Sequence, residues 1–289
     1  MTTATGSAQG SAQGEGRGDW VKETGIPGAF GFTEPFEAVV SDVRTALTGV
    51  GQDVTHGPVW YPPLMATARV ERSEYAESFP HLLGTVHAFR DDQLGTPEGP
   101  QDARRPTDAV LAPAVCYNVY AELADQVLTG LQTFDAAGYC YRHEATSETG
   151  RLRVFRMREF VAVGAAEATA TWRDEWIDRC QAFFTRLGLR VDTVSATDPF
   201  FGPGGRLMRS TQLEQGLKYE FVAKVSGQDS GTAIASANRH RDHLGRRFGI
   251  GVEDGRTAHS SCVAFGLERI ALALVHAHGE DRRNWPEIV

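Results

Sequence analysis

Apolar residues recur at helical spacing in four stretches of the chain and at strand spacing in several others. Between Pro35 and Val50, the positions Phe36, Val39, Val40, Val43 and Leu47 share one helix face, and Gly49 and Gly51 supply a stop signal. A second helical pattern, from Tyr117 to Phe134, places Val119, Leu123, Val127 and Leu131 in a stripe. A third runs from about Ala168 to Leu187 with Trp172, Trp176, Phe183 and Phe184, and Gly188 ends it. An apolar helix from Gly266 to His276 is the last. Val191 to Val194, Tyr219 to Val225 and Thr257 to Val263 read as strands, and Ala109 to Val115 is a short apolar run. The proline-broken segments Trp60-Tyr61-Pro62-Pro63 and Ser78 to Leu83 suit extended backbone. Residues 1–19 are Gly, Ser, Ala and Gln with little to bury, which predicts a disordered tail ahead of one domain over 20–289. Residues 91–108 read as a mobile Pro/Gly loop.

The most informative stretch is Tyr141 to Phe160. Arg142 and Glu144 stand two apart, so in extended backbone they point to one face. A polar loop with Ser147 and Gly150 follows, then Val154-Phe155-Arg156-Met157-Arg158-Glu159-Phe160 returns as a second strand. The pattern predicts an antiparallel hairpin with a longer loop. Its charges lie inside the strands, where an unpaired ion is costly, so they need partners or a ligand. Arg142 has a fork suited to phosphate, and Phe160 has a ring face suited to a base. A solvated strand face laced with ion pairs explains the same residues equally well.

Composition narrows the classes. The 289 residues are 41% hydrophobic and 23% charged, ordinary for a globular protein with one sizeable core. No apolar run approaches the ~20 residues that span a bilayer, and the start of the chain lacks the order of a secretory signal. Four scattered cysteines do not form a disulfide framework, so a reducing cytoplasm is the simplest home. A net charge of −8 argues against nucleic-acid binding through a global positive field.

Two further features carry chemistry. Arg269 sits in the first turns of the apolar last helix, where a buried guanidinium needs an anion. That anion is either an internal glutamate or a phosphate tail gripped together with Arg142. Cys116, Glu159 and Cys262 are good zinc ligands that would leave a coordination position open. Their spacing carries little weight, because lone cysteines are usually small buried hydrophobes. Neither a P-loop nor a GxGxxG turn is present, so any ATP is held another way.

Arg142-x-Glu144, the loop, Arg156-x-x-Glu159-Phe160 and Gly266-x-x-Arg269 together resemble motifs 2 and 3 of class II aminoacyl-tRNA synthetases, most of all seryl-tRNA synthetase catalytic domains. Within that group the chain is similar to the truncated homologues known as amino acid:[carrier protein] ligases. It shows no long N-terminal coiled-coil arm for tRNA. Cys116 stands where seryl enzymes carry a Thr-x-Glu motif, and Glu159 and Cys262 complete a zinc set like that of these ligases and of atypical archaeal seryl enzymes. The likeness spans roughly residues 35–280.

The resemblance implies an α+β fold, an antiparallel sheet flanked by helices, working as a homodimer. It implies that Arg142 holds the α-phosphate region, Glu144 the adenine amino group, and that Phe160 stacks on adenine. Arg151 and Leu152 belong to a loop closing over the nucleotide, and Arg269 meets the γ-phosphate. Zinc on Cys116, Glu159 and Cys262 would take the substrate's α-amino group. ATP and Mg²⁺ are implied, although Ala233 replaces a glutamate that helps hold them, leaving Ser236, backbone groups and Glu220 to contribute. The implied product is a small aminoacyl adenylate, of glycine or alanine, passed to the phosphopantetheine thiol of a carrier protein. Such carriers are generally acidic, so docking should use locally basic surface. Arg206 with Arg209, and Arg239 to His243 with Arg246-Arg247, are candidates, and solvated faces explain them as well. Aminoacylation of tRNA and a non-catalytic regulator are the rival readings.

Overall fold

The computed structural model describes residues 20–55, 57–89, 104–144, 150–202, 204–227 and 230–289. The chain opens with strands β1 (Val21–Glu23) and β2 (Phe30–Phe32), followed by helix α1 (Glu34–Val50). Strands β3 (Val59–Tyr61) and β4 (Leu64–Ala66) lead through α2 (Thr67–Arg72) and α3 (Tyr75–Ser78) to β5 (Thr85–Phe89) and β6 (Arg104–Leu111). Helix α4 (Tyr117–Glu122) and β7 (Val127–Leu128) precede the long hairpin of β8 (Gln132–Tyr141) and β9 (Val154–Gly164). Then come α5 (Ala166–Arg186), β10 (Asp192–Ser195), α6 (Gly205–Glu214), β11 (Lys218–Ala223) and β12 (Thr232–Arg241). Helix α7 (His243–Phe248), β13 (Gly251–Val252), β14 (His259–Gly266) and α8 (Leu267–His278) complete the elements that matter here.

The central sheet has the order β10-β11-β12-β14-β9-β8-β3. Every neighbour pairs antiparallel except β3, which runs parallel to β8 at the edge. Strand alternation gives this sheet two unlike faces. One face carries Phe160 and Ala162 of β9, Phe221 of β11 and Phe265 of β14, and buries them under α1, α5 and α8. The opposite face carries Phe155, Val161 and Cys262, and is covered only in part, by α4 and α7. A small sheet of β4-β6-β5 stands beside it. The uncovered part of the second face is where the site lies.

The helices anticipated near the two ends and in the middle form where the spacing places them, as α1, α5 and α8, and the hairpin is antiparallel. Two elements differ. The helical stripe over Tyr117–Phe134 is cut short at Glu122, because Asp125 and then Gly130 take left-handed φ of 61° and 66°, after which Gln132 enters β8. Val127, one of the stripe, is 70% exposed. Of the loop read over 91–108, residues 104–108 lie in β6, paired with β5. Pro106 is tolerated there because β4 pairs only with the far end of β6, leaving one edge open. The remainder of that loop, the tail over 1–19 and Ser147 fall outside the described residues.

Candidate active site

A cavity of about 520 Å³ opens on the partly covered face. At one end lie Cys116, Glu159 and Cys262, all buried, with their ligand atoms within 4.8 Å of one another. Three different elements bring them there. Cys116 caps the start of α4, Glu159 points off β9, and Cys262 points off β14, the strand next to β9. Glu159 is held by the backbone amides of Val115 and Cys116, which donate to its two oxygens at 3.1 and 3.0 Å. The Asn238 amide reaches Cys262 Sγ at 3.9 Å.

The electrostatics of this trio ask for a cation. Burial, with the Cys262 thiol next, pushes the Glu159 carboxyl up to about 7. Contact with Cys262, then burial, pushes the Cys116 thiol up, while contact with Cys116, then His240 and Asn238, brings Cys262 down. Three acidic groups are packed together here, and His240 is the basic side chain that acts on them, through Cys262. Two thiolates and a carboxylate fit a tetrahedral divalent metal with one position left for a substrate.

The other end of the site is cationic. Arg142 follows directly on β8 and lines the cavity, and its buried Nε has no hydrogen-bond partner. Burial opposes its charge, but Tyr75, Cys140, Asp198 and Tyr117 outweigh it, so its affinity for the proton is raised. Arg269 donates from Nε to the Gly150 carbonyl at 2.8 Å and from Nη1 to the Ala233 carbonyl at 2.9 Å. Among the described residues no carboxylate forms an ion pair with it. The neighbouring Glu268 is committed to Arg156 at 2.6 Å, so the internal ion pair entertained for Arg269 belongs to a different arginine. Burial, then Arg142 and Arg151, outweigh Glu220 and Glu144 and bring Arg269 down to about 10, as guanidiniums crowded together do. Gly150 allows the close approach, since a Cβ there would meet Thr232 at 2.8 Å.

Phe160 does not face this cavity. It is fully buried on the helix side of β9, stacked on Trp176 with centroids 4.3 Å apart, and a Cβ on Gly51 would strike its ring at 2.3 Å. The period of two explains it: Glu159 faces the cavity, so Phe160 must face away. The ring on the cavity face is Phe155, over which the Arg269 guanidinium lies 5.8 Å from the centroid. Counting back in twos from Glu159 finds Phe155, a signal available in the sequence.

Other anticipated residues are distributed as follows. Glu144 is exposed just past β8, and its charge acts on Arg269. Arg151 is exposed and acts on the same arginine, while Leu152 is buried in the apolar layer and offers only its main chain. Ala233 contributes its carbonyl, and Ser236 lines the cavity and accepts from Asn238 at 3.1 Å. Glu220 stands opposite Ser236 in the β11–β12 ladder and pairs with Lys218 at 3.1 Å. Of the basic candidates, Arg209 donates to the Phe200 carbonyl, Arg246 pairs with Asp242 and Arg247 with Glu74. His240 turns inward to the cavity.

A seven-stranded sheet that gathers a metal-ligand trio and uncompensated arginines on one face is the core of a class II synthetase. Residues 104–278 match the family described as the tRNA synthetase class II core domain (G, H, P, S and T). The chain is 38% and 36% identical to amino acid–[acyl-carrier-protein] ligases 2 and 1 of Bradyrhizobium diazoefficiens, over 91% of its length and 82% and 83% of theirs. It therefore belongs to the amino acid–[acyl-carrier-protein] ligase family and is an enzyme of the ligase class. A type-2 serine–tRNA ligase of Methanopyrus kandleri is 26% identical over 94% of this chain and 57% of its own. The fold recurs in the structure of M. kandleri SerRS in complex with A. aeolicus tRNASec, with a TM-score of 0.80 and 23% identity, over 94% of this chain and 58% of that one. Among the described residues no helix is long and apolar enough to cross a membrane.

Proposed function

We propose that this enzyme activates a small amino acid, glycine or alanine, with ATP and transfers it to the phosphopantetheine thiol of a carrier protein. The observation that carries the reading is that Cys116, Glu159, Cys262 and Arg142 line one cavity, with the Arg269 guanidinium against its Phe155 wall. Cys116, Glu159 and Cys262 would hold zinc, which would supply a Lewis acid for the unblocked α-amine of the substrate. The fixed trio then sets where the substrate carboxylate lies relative to the arginines.

Arg142 and Arg269 neutralise the polyphosphate, with Phe155 beneath the base and Glu144 at its amino group. Magnesium would accompany the phosphates, and Glu220 and Ser236 would supply its protein ligands where Ala233 has none. A carboxylate oxygen attacks the α-phosphorus, the bond to diphosphate breaks, and the aminoacyl adenylate forms. The thiol sulfur then attacks the acyl carbon, AMP departs with the bonding electrons, and the thiol proton leaves to solvent. Positioning and charge neutralisation dominate such chemistry, which explains a site rich in guanidinium and poor in acid–base groups. We further infer a homodimer, since edge strand β3 leaves Val59 57% and Trp60 41% exposed.

ATP–diphosphate exchange across the amino acids tests activation. Brisk exchange with glycine or alanine supports the reading, and exchange only with serine or a large amino acid overturns the substrate assignment. Offering pantetheinylated carrier protein and tRNA side by side distinguishes the acceptor. Metal analysis of Cys262→Ser should show zinc and exchange lost together, and full zinc in that variant refutes the ligand set.

A further inference from the structure

One half-buried polar group beside the trio, His240, has no part in the proposed reaction. Strand β12 is bulged next to β14: Arg239 lies opposite Ser261 and Arg241 opposite Ser260, so His240 is the extra residue. Arg241 takes a left-handed φ of 56° with no glycine to relieve it. Such a conformation persists only where the surroundings impose it, and here its consequence is the direction of the His240 ring. His240 Nδ1 lies 3.2 Å from Tyr120 Oη and 3.1 Å from Ser260 Oγ. The ring stands nearly edge-on to Tyr120, at 85° with centroids 6.0 Å apart.

Each partner connects to the trio. Tyr120 is fully buried on α4, the helix capped by Cys116, and Ser260 precedes Cys262 by two residues on the same face of β14. Asn238, two before His240 on β12, already donates toward Cys262 Sγ. The His240 ring is close enough to Cys262 to favour its thiolate. It is not one of the clustered ligand atoms. A thiolate bonded to a metal still has freedom about its side-chain torsion, and N–H donors both fix its direction and spread its charge.

We propose that His240 is a positioning residue for Cys262, its Nδ1 held by Tyr120 and Ser260 so that Nε2 carries the proton and donates it to the metal-bound sulfur. The bulge at Arg241 is the backbone device that delivers this ring. Tyr120 extends the same restraint to the helix that bears Cys116, so both thiols are aimed by one network. The inference rests on the reading of the trio as a zinc site.

The test is zinc affinity by chelator competition in the full chain and in His240→Ala, His240→Gln, Tyr120→Phe and Cys262→Ser, with the absorption spectrum of the cobalt-substituted proteins. His240→Ala should bind zinc about 10- to 100-fold more weakly, the range for groups that orient metal ligands. Its thiolate-to-cobalt band should shift, and the amino-acid KM should rise while the ATP KM stays put. His240→Gln places an amide N–H near the position of Nε2 and should recover most of the loss. Tyr120→Phe should fall between, because Ser260 still holds Nδ1. Should His240→Ala unfold, the Gln and Phe variants carry the comparison. Zinc affinity within about 2-fold of wild type and an unchanged cobalt spectrum in His240→Ala, with zinc lost in Cys262→Ser, overturns the role of His240 and leaves the metal reading standing. Absence of zinc binding in every protein, wild type included, overturns both.

Discussion

Strand β9 carries charge on both of its faces, and the two faces resolve it in opposite ways. Toward the helices, Arg156 sits 2.6 Å from Glu268 and 2.7 Å from Glu37, and Arg158 sits 2.6 Å from Asp135 and 2.8 Å from Thr48. Toward the cavity, Glu159 meets two thiols and two backbone amides, and the hydrogen bonds of nearby Arg269 among the described residues go to carbonyl oxygens. Burial is similar on both sides, so desolvation alone does not distinguish them. Completeness of pairing does. A buried ion with its counter-ion is finished structure, whereas like charges gathered without one are stable only when a ligand of opposite sign arrives.

The contrast is open to direct attack. Asp135→Ala strands Arg158, whose side chain is 2% exposed, and should cost about 3–5 kcal/mol of stability by denaturant unfolding. Zinc affinity measured in native buffer should not move. A large change in metal binding would mean the two faces are coupled. Arg269→Ala should do the reverse. It loses about 10²- to 10³-fold in adenylate formation, as expected for one donor on developing phosphate charge, with stability unchanged or improved. Next in size, Phe155→Ala should weaken ATP binding by about 1–3 kcal/mol, the worth of one base–aromatic stack. Phe160→Leu, on the other face, should cost under about 1.5 kcal/mol of stability and leave the ATP KM alone. If Phe160→Leu moves the ATP KM instead, the facing assigned to the two rings is wrong.

The smallest effect concerns Asp198, a cavity-lining carboxylate that is paired. Burial alone would raise it, but Lys218 at 2.6 Å, Gln212 and Arg142 outweigh that and hold it below the usual range. Its folded value is depressed, so its contribution is complete above the ordinary carboxylate value of about 4. The contribution is lost as pH falls through the lower folded value. Asp198→Asn should lower stability at neutral pH and flatten the acid limb, so that its stability–pH curve converges on that of the wild type at low pH.

Much of this molecule could be read from order and period. Helices α1, α5 and α8 follow from apolar spacing, and the β8–β9 hairpin from two strand-like runs around a polar loop. Arg142, Glu144 and Arg269 stand out as charges in apolar or extended settings. These are local properties, written in residues three, four or two apart, and local physics suffices for them. Whether a charge would be paired was not local. Arg156 and Arg269 look alike in sequence, and only packing decided that Glu268 belongs to the first, 112 positions away. The same holds for His240, which reads as one of a run of surface cations until a bulge and two hydroxyls from α4 and β14 turn it inward. Cys116, Glu159 and Cys262 are far apart in the chain. Their meeting is a product of sheet order, since β14 inserts beside β9 and α4 closes over both, and no spacing rule encodes that approach.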